Sequence, residues 1–360
     1  MELKKSNIFE VIEKEEHEEV IFLHDRRTGL KGILAIHDTT LGPGLGGCRM
    51  WQYESEDRAL RDVLNLSRGM TYKIAISGLD YGGAKMVLWG DPTSDKNEAY
   101  FRALGKFIDR LEGYYIIGPD VGIGHDDLLV IQKETPYVCA LPEEFGGSGD
   151  ISISTAYGTF NGIKACFKKK YGSDYLSGRT VALQGLGKVG FKLAKMLLEE
   201  DARVIATDLE SSLREGAREL GCETVDPEEI YTLECDVFSP NALGGIVNDQ
   251  TLPEFKCDII AGAANNILED PEVHGRGLLE RGIIYAPDYV INAGGVIHAA
   301  SGIDYEQCLK SVINKKCEDM YDTLLEIFAV AEAEGILPLE AVDHIAEQRL
   351  AMVEKINSLR

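Results

Sequence analysis

The sequence predicts an α/β protein of two domains, the second of them built on a doubly wound parallel sheet. Short apolar runs alternate with segments of helical periodicity along most of the chain. The length of 360 residues is enough for two domains with separate cores. Residues 146–150 read Gly-Gly-Ser-Gly-Asp, and so many glycines suit a hinge between the two domains.

Strands and helices alternate in the first domain. Residues 20–23 and 32–36 flank a turn at 26–29, which predicts a hairpin. Further strands are predicted at 86–89 and 114–117, and helices with apolar residues at helical spacing at 54–77 and 98–111. The strand at 114–117 places Asp120 just beyond its C-terminal end.

The second domain is predicted to begin with a helix at residues 154–170. Strands are then expected at 180–183, 203–207, 236–238, 258–261 and 282–285. The stretch 305–358 predicts two long helices broken at 335–338, where Gly and Pro occur. We expect the last helix to return to the first domain.

Composition and charge exclude several classes of protein. The net charge of −23 repels phosphate backbones and anionic membrane surfaces, so we expect neither nucleic acid nor membrane as a partner. No apolar signal core begins in residues 1–7, and no apolar run approaches the ~20 residues that span a bilayer. The eight cysteines form no CxxC pair and the seven histidines no metal-ligand pattern. These features indicate a cytoplasmic protein with free thiols and no metal.

A glycine fingerprint follows the strand at 180–183. Gly185 permits a tight turn, Gly187 lets a pyrophosphate approach the backbone, and Gly190 allows close packing of helix on strand. An isolated pattern of this kind is often only a turn, but here a strand precedes it and a helix follows. Asp208 ends the next strand, where a carboxylate accepts hydrogen bonds from the adenosine ribose and repels a 2′-phosphate. The predicted NAD site therefore comprises Gly185, Leu186, Gly187, Lys188, Val189, Gly190 and Asp208.

Lys73 and Lys85 lie twelve residues apart, each at the end of a glycine-containing segment. One lysine can hold a carboxylate, and a second lysine beside it becomes a base near neutral pH because its ammonium form is disfavoured. Most lysines are solvated surface charges, so the pair alone is a weak signal. We interpret Gly82 and Gly83, just before Lys85, as room for a substrate. With a hydride acceptor downstream, this equipment fits the oxidation of an amino acid.

Three further polar residues occur at the C-terminal ends of predicted strands, where α/β folds place functional groups. Asp120 is a candidate catalytic carboxylate, although an aspartate there is more often part of an ordinary turn. Asn265 and Asn292 can bind the nicotinamide ribose or carboxamide, and equally can cap helices.

Taken together, these motifs resemble the amino-acid dehydrogenase family, in its leucine, valine and phenylalanine branch, with glutamate dehydrogenase a more distant relative. The likeness covers residues 37–43, 46–50, 69–73, 82–85, 120–122 and 286–295. It implies that residues 1–147, with a returning helix at 326–360, bind substrate and mediate oligomerisation. It also implies that residues 148–325 form a Rossmann-like NAD-binding domain.

The resemblance also implies roles for single residues. Lys73 would hold the substrate carboxylate, Lys85 would be the low-pKa lysine that activates the water attacking the imine, and Asp120 would carry protons to and from the amino group. The cofactor would be contacted by Thr155, Asn265 and Asn292. Substrate contacts would come from Leu45, Gly46, Gly47, Met70, Gly118, Val296 and Ala299.

Departures from the family pattern concern substrate choice. Leucine enzymes usually carry alanine where Gly118 stands and valine where Ala299 stands, so the pocket should be roomier here. Residues 298–304 also depart from the usual pattern. We expect an apolar L-amino acid as substrate, leucine-type or phenylalanine, and a homo-oligomer, an octamer first and a dimer second. The alternative is a catalytically silent NAD-binding metabolite sensor, which need not keep Lys73, Lys85 and Asp120.

Overall fold

The computed structural model describes residues 8–303 and 310–359. These residues divide into two compact units. The first contains the described residues of Met1–Asp150, Ala299–Cys308 and Ala346–Arg360, and the second those of Ile151–His298 and Leu309–Ile345. Within the described ranges, the helices are too short or too polar to cross a bilayer.

A five-stranded mixed sheet organises the first unit. Its strands are β1 Glu19–Asp25, β2 Leu30–Asp38, β3 Gly44–Trp51, β4 Gly82–Trp89 and β5 Tyr115–Pro119, in the order β1-β2-β4-β3-β5. The predicted hairpin is confirmed, because β1 and β2 pair antiparallel. Strand β3 runs parallel to both of its neighbours, so β3, β4 and β5 bring their carboxyl ends to one edge.

Helices cover both faces of this sheet. They are α1 Ile8–Lys14, α2 Glu56–Ile76, α3 Glu98–Asp109 and α4 His125–Gln132. On one face α2 packs its residues Leu60, Val63 and Leu64 against β2 and β4. On the other face α3 and α4 enclose Met50 and Met86. Because side chains alternate along a strand, Lys85 of β4 lies on the α2 face.

A six-stranded parallel sheet organises the second unit, which confirms the two-domain α/β fold with a doubly wound sheet. Its strands are β6 Thr180–Gln184, β7 Arg203–Thr207, β8 Glu223–Thr224, β9 Glu234–Pro240, β10 Lys256–Ile260 and β11 Ile284–Tyr285. Their order is β11-β10-β9-β6-β7-β8, so the strand order reverses beside β6. Ligands of doubly wound sheets bind at such a reversal, at the carboxyl ends of the strands.

The remaining helices are α5 Ile151–Tyr171, α6 Lys188–Glu199, α7 Ser211–Leu220, α8 Pro271–Glu280, α9 Asp288–Ile291, α10 Gly294–Ser301, α11 Lys310–Glu334 and α12 Pro338–Asn357. Short 3-10 helices occupy Glu143–Phe145 and Glu229–Thr232. The break predicted at 335–338 is confirmed between α11 and α12. Residues 305–309, expected to begin the first of these two helices, lie outside the described residues.

The last turns of α12 belong to the first unit. Ala346 packs against Leu41 and Ala75 in a small apolar cluster. Arg349 donates hydrogen bonds to the carbonyl oxygens of Ala75, at 2.5 Å, and Leu79, at 2.9 Å, which lie at the end of α2 and just after it. The described C-terminal residues therefore complete the core of the first unit.

Strand β3 was missed by the sequence analysis, and β4 begins at Gly82 rather than at residue 86. Glycine is uncommon in strands, so the glycines at the start of both strands gave no strand signal. The structure gives the reason for these glycines. A side chain at Gly46 would overlap the Ala84 carbonyl oxygen of the neighbouring strand. Glycine is required there by the close approach of two backbones.

Candidate functional site

Lys85, Asp120 and Arg49 form a charged cluster on the α2 face of the first sheet. The Lys85 Nζ lies 3.0 Å from the Asp120 Oδ2, and only 8 % of Lys85 is exposed. Arg49 Nε donates a hydrogen bond to the same Asp120 oxygen at 3.1 Å. Parallel strands β4, β3 and β5 supply the three residues, with Asp120 directly after β5. The structure thus brings together the two catalytic candidates from the sequence and adds an arginine.

The ionisation of Asp120 follows from these neighbours. Burial acts to raise the pKa of the Asp120 carboxyl, but the positive charges of Lys85 and Arg49 oppose it, and the net pKa lies below the ordinary value. Asp120 is therefore a carboxylate at neutral pH. At 3.0 Å, the pair of Lys85 and Asp120 is within proton-transfer distance.

Arg49 is itself held by Asp62, which is held in turn by Tyr53, and sequence reasoning missed both of these residues. Its Nη1 lies 3.0 Å from the Asp62 Oδ2 of helix α2. The Tyr53 hydroxyl donates to that same Asp62 oxygen at 2.5 Å. The available signal was an arginine within the family-like segment 46–50, which begins with two glycines. Its partners Asp62 and Asp120 lie 13 and 71 residues further along the chain, so no local pattern links them to Arg49.

A cavity of about 440 Å³ lies in the first unit, away from Lys85 and Asp120. It adjoins β1, β2 and the beginning of α2. Its walls include Phe22, Ile33, Tyr53, Ala59 and Trp89. Tyr53, which donates a hydrogen bond to Asp62, also lines this cavity.

Glycines keep the sheet surface beside Lys85 free of side chains. Gly47 and Gly118 are directly paired on β3 and β5. A side chain at Gly47 would meet the Pro119 carbonyl oxygen at 2.5 Å, whereas one at Gly118 would meet only the Cys139 Sγ, at 3.0 Å. Glycine is therefore required at position 47 by the close approach of the Pro119 backbone, next to Lys85 on the sheet.

Our interpretation of Gly82 and Gly83 as room for a substrate was wrong. A side chain at Gly83 would overlap Thr71 of helix α2, and one at Gly82 would overlap the Asp38 carbonyl oxygen. Both glycines allow a helix and a loop to pack directly on β4. Their contribution is to bring α2 close to the strand that carries Lys85.

Lys73 lies in the last turn of α2 and is half-buried. Its carbonyl oxygen accepts a hydrogen bond from the Ser77 hydroxyl at 2.6 Å. A cation is favoured there by the partial negative charge of the helix C-terminus. The contact between Thr71 of α2 and Gly83 of β4 lies two residues before each of the lysines along the chain.

A buried histidine pair supports this part of α2. His37 Nδ1 lies 2.9 Å from the Thr71 Oγ1, and His17 Nε2 lies 2.9 Å from the Ser67 Oγ. The two rings are 4.8 Å apart, edge to face. Burial lowers the pKa of His37 to about 3, with the His17 charge acting in the same direction, and burial also lowers the pKa of His17. Both rings are therefore neutral at pH 7.

The predicted substrate-contacting residues occupy different surroundings. Leu45 is buried on β3 and Met70 is half-buried on α2, both in the first unit. Val296 is half-buried on α10 in the second unit, and Ala299, on the same helix, is buried and belongs to the first unit. Met70 and Val296 thus have the more accessible side chains of the four.

The glycine fingerprint forms a bare turn between β6 and α6. Gly185 has a φ of +94°, a conformation that favours glycine. A side chain at Gly187 would meet nothing within 4 Å, and one at Gly190 would overlap the Gly185 carbonyl oxygen. Helix α6 begins at Lys188 without a side-chain cap, which leaves its first turn suited to an anion. Leu186 is buried and Val189 half-buried within this turn.

Asp208 is tied to this turn. Its Oδ2 accepts a hydrogen bond from the Leu186 amide at 2.7 Å, and its Oδ1 accepts one from the Glu210 amide at 3.0 Å. The carboxylate is thus fixed beside the turn, at the strand reversal next to β6. These residues fit the pyrophosphate and the ribose of a dinucleotide.

The other predicted cofactor residues also lie in the second unit. Asn292 is buried, and its amide donates to the Asn265 Oδ1 at 2.7 Å and to the Ala263 carbonyl oxygen at 3.2 Å. Asn265 is exposed. Thr155 donates to the Ile151 carbonyl oxygen at 3.0 Å, and a side chain at Gly295 would come within 2.7 Å of its Oγ1. Thr155 therefore lies against the start of α10.

Comparison with known families assigns both parts of the chain. Residues 17–137 match the family described as Glu/Leu/Phe/Val dehydrogenase, dimerisation domain. Residues 146–212 and 208–328 match the family described as glutamate/leucine/phenylalanine/valine dehydrogenase. The chain belongs to the Glu/Leu/Phe/Val dehydrogenase family. The dehydrogenase is thus an L-amino-acid dehydrogenase of the leucine and phenylalanine branch, as the sequence motifs indicated.

Individual relatives are similar over nearly the whole chain. A leucine dehydrogenase of Geobacillus stearothermophilus is 49% identical over 355 residues, which cover 98% of this chain and 95% of the relative. A phenylalanine dehydrogenase of Caldalkalibacillus thermarum is 45% identical over 350 residues, covering 95% and 94%.

Solved structures agree with this assignment. The L-tryptophan dehydrogenase of Nostoc punctiforme superposes with a TM-score of 0.86 at 41% identity, covering 96% of this chain and 99% of that one. The hetero-hexameric glutamate dehydrogenase of Thermus thermophilus superposes with a TM-score of 0.74 at 21% identity, covering 98% of each chain, and shares the fold.

Proposed function

We propose that the dehydrogenase catalyses the reversible, NAD-dependent oxidative deamination of an apolar L-amino acid to the 2-oxo acid, ammonium and NADH. The observation that carries this proposal is the pair of the buried Lys85 and the half-buried Asp120, 3.0 Å apart on the α2 face of the first sheet. Similarity to leucine, phenylalanine and tryptophan dehydrogenases supports an apolar substrate.

The chain's own residues would divide the work in a defined way. Lys73 would hold the substrate carboxylate. Lys85 would take a proton from the water that attacks the imine carbon, and Asp120, within proton-transfer distance of Lys85, would carry protons to and from the amino nitrogen. NAD, when bound, supplies the acceptor for the hydride that leaves the substrate α-carbon.

The cofactor would be held in the second unit. Gly187 and the first turn of α6 would face the pyrophosphate, and Asp208 would accept hydrogen bonds from the adenosine ribose. Asn265, Asn292 and Thr155 would contact the nicotinamide part. The first unit would bind the substrate and form the homo-oligomer, an octamer being the first expectation. Exposed Phe22 and Trp51, within the matched dimerisation domain, support such an interface.

A panel of L-amino acids tests the proposal directly. We expect NADH formation with leucine, valine, methionine and phenylalanine, and little with glutamate, because a charged side chain would be buried unpaired in an apolar pocket. NADH absorbance at saturating NAD measures the ratio of kcat/KM values. A preference for glutamate, or no amino-acid-dependent NADH with any substrate, would contradict the proposal.

The size of the side-chain pocket is testable with the double variant Gly118→Ala, Ala299→Val. We expect activity to shift from phenylalanine towards valine, because each added methyl group removes space and is worth roughly 1–3 kcal/mol. The Cβ added at Gly118 would lie 3.0 Å from the Cys139 Sγ, so the melting temperature is measured in parallel. An unchanged ratio of kcat/KM values in a stable variant would show that these positions do not line the pocket.

The choice of nucleotide is testable at Asp208. We expect wild-type protein to prefer NAD over NADP, and Asp208→Asn to narrow that preference by roughly tenfold or more, because the substitution removes the charge that repels a 2′-phosphate. The side chain of the introduced asparagine keeps one oxygen, which can still accept the hydrogen bond from the Leu186 backbone N–H. Kd values for NADH and NADPH, from fluorescence titration, measure the change. Equal affinity of the wild type for both would argue against this role of Asp208.

A further inference from the structure

We propose that Arg49 is a positioning residue that fixes the Asp120 carboxylate for proton transfer, and that Asp62 and Tyr53 hold Arg49 in place for this task. The inference rests on the proposed function, because it assigns Arg49 to the reaction in which Lys85 and Asp120 take part.

Arg49 bridges two carboxylates that come from different elements. Its Nε donates to Asp120 beyond β5, and its Nη1 donates to Asp62 on α2. A guanidinium is planar and rigid, so fixing one edge on Asp62 also fixes the direction of Nε. The Tyr53 hydroxyl closes the chain by donating to Asp62 at 2.5 Å. Four side chains thus lead from Tyr53 to Asp120 through direct hydrogen bonds.

Lys85 and Arg49 share one oxygen of Asp120. Both the Lys85 Nζ, at 3.0 Å, and the Arg49 Nε, at 3.1 Å, contact Oδ2. Two donors from neighbouring strands prevent the carboxylate from turning, so Asp120 keeps one orientation towards Lys85. If Arg49 served only to join β3 to α2, its contact with Asp62 would be enough. The additional contact of Arg49 with Asp120 indicates a role at that carboxylate.

The charges in the cluster balance only with Arg49 present. Two cations, Lys85 and Arg49, face two carboxylates, Asp120 and Asp62. Asp120 also interacts electrostatically with the titratable groups of Cys48, Tyr115 and Tyr53. Burial raises the pKa of each of these three groups, so all three are neutral at pH 7. Without Arg49, two carboxylates would share Lys85, and protonation of Asp120 would become easier.

The test compares Arg49→Gln, Arg49→Lys and Tyr53→Phe with the wild type. The matched control is Arg58→Gln, since Arg58 pairs with Glu54 at 3.2 Å at the start of α2 but is 68% exposed at its side chain and lies outside the cluster. For each protein, kcat and KM for the preferred amino acid are measured from about pH 5 to about pH 10, together with the melting temperature.

We expect Arg49→Gln to lower kcat about 100-fold, because a misplaced catalytic group costs that much. KM for the amino acid should change little. The acidic limb of the kcat/KM profile should move up by about one pH unit, because the proposed general base gives up its proton less readily once the nearby positive charge of Arg49 is gone. Arg49→Lys should return the acidic limb towards the wild-type position while kcat stays reduced, because lysine restores charge without the rigid fork. Tyr53→Phe should reduce kcat a few-fold, and Arg58→Gln should match the wild type.

An acidic limb that stays at the wild-type pH in Arg49→Gln would overturn the inference, even if that variant were less stable. Amino-acid-dependent NADH formation by the wild type, in the same experiment, checks the proposed function separately. If the wild type is active and the Arg49→Gln profile superposes on it, only the role of Arg49 fails. If the wild type forms no NADH, both the function and this role fail.

Discussion

Lys85→Ala should lower kcat for oxidative deamination by about 10²–10⁴, the usual contribution of a general base. The reason is that the variant lacks the amine that lies 3.0 Å from Asp120 and that we propose to activate water. NAD affinity should remain close to wild type, because the residues that fit the dinucleotide belong to the second unit. Steady-state NADH formation gives kcat, and calorimetric titration gives the Kd for NADH.

Two other lysines sharpen this comparison. Lys96 also pairs with a carboxylate in the first unit, that of Asp127, at 2.5 Å. Lys96→Ala should leave kcat near the wild-type value. That result would show that losing a lysine ion pair in the first unit does not by itself lower kcat. Lys73→Ala should chiefly raise KM for the amino acid, since its proposed partner is the substrate carboxylate. Near-normal turnover in Lys85→Ala would exclude the mechanism proposed here.

Below about pH 6.5 the dehydrogenase should become progressively less stable, and His37 should account for a large share of the loss. Its pKa is lowered to about 3 in the folded protein, whereas an unfolded histidine titrates near 6.5. The unfolded chain therefore binds the proton first. The contribution of His37 is complete above about pH 6.5 and falls as the pH drops towards 3, by about 2 kcal/mol between pH 7 and pH 5.

The contribution of His37 is measurable by urea unfolding at pH 7, 6 and 5 at one protein concentration. His37→Gln should be less stable than the wild type at pH 7, but its unfolding free energy should fall less steeply with decreasing pH. His24 is exposed on β1, and His24→Gln should keep the wild-type slope. If His37→Gln and the wild type show parallel curves, the buried ring does not couple protonation to folding.

Periodicity in the sequence was sufficient for the helices and strands whose signals are local. The apolar spacing in 54–77 predicted α2, and the fingerprint at Gly185 correctly located the turn between β6 and α6. Strand β3 was not predicted because Gly46 and Gly47 are required by the close approach of neighbouring backbones. Those neighbours are distant in sequence, so they leave no pattern in the residues around the two glycines.

The same limit explains which parts of the site were predictable. Lys85 and Asp120 carry signals in their own segments, a lysine after glycines and an aspartate after a strand. The role of Arg49 could be recognised only from the strand order β4-β3-β5. That order places Arg49 beside Asp120, which lies 71 residues further along the chain. Asp62 was hidden because a carboxylate on a helix surface is ordinarily solvated, and nothing local distinguishes one that holds an arginine.

The return of α12 also determines when the first unit can be finished during synthesis. Its sheet and most of its core are encoded before Asp150, but Ala346 and Arg349 are translated only after the second unit. Nascent chains therefore expose the apolar surface formed by Leu41 and Ala75 while all of the second unit is translated. The core of the first unit is thus completed only after the second unit has been translated. A chain truncated by a ribosome that stalls before Ala346 retains an unfinished core, a feature by which chaperones and proteases can distinguish it from a chain that includes all of α12.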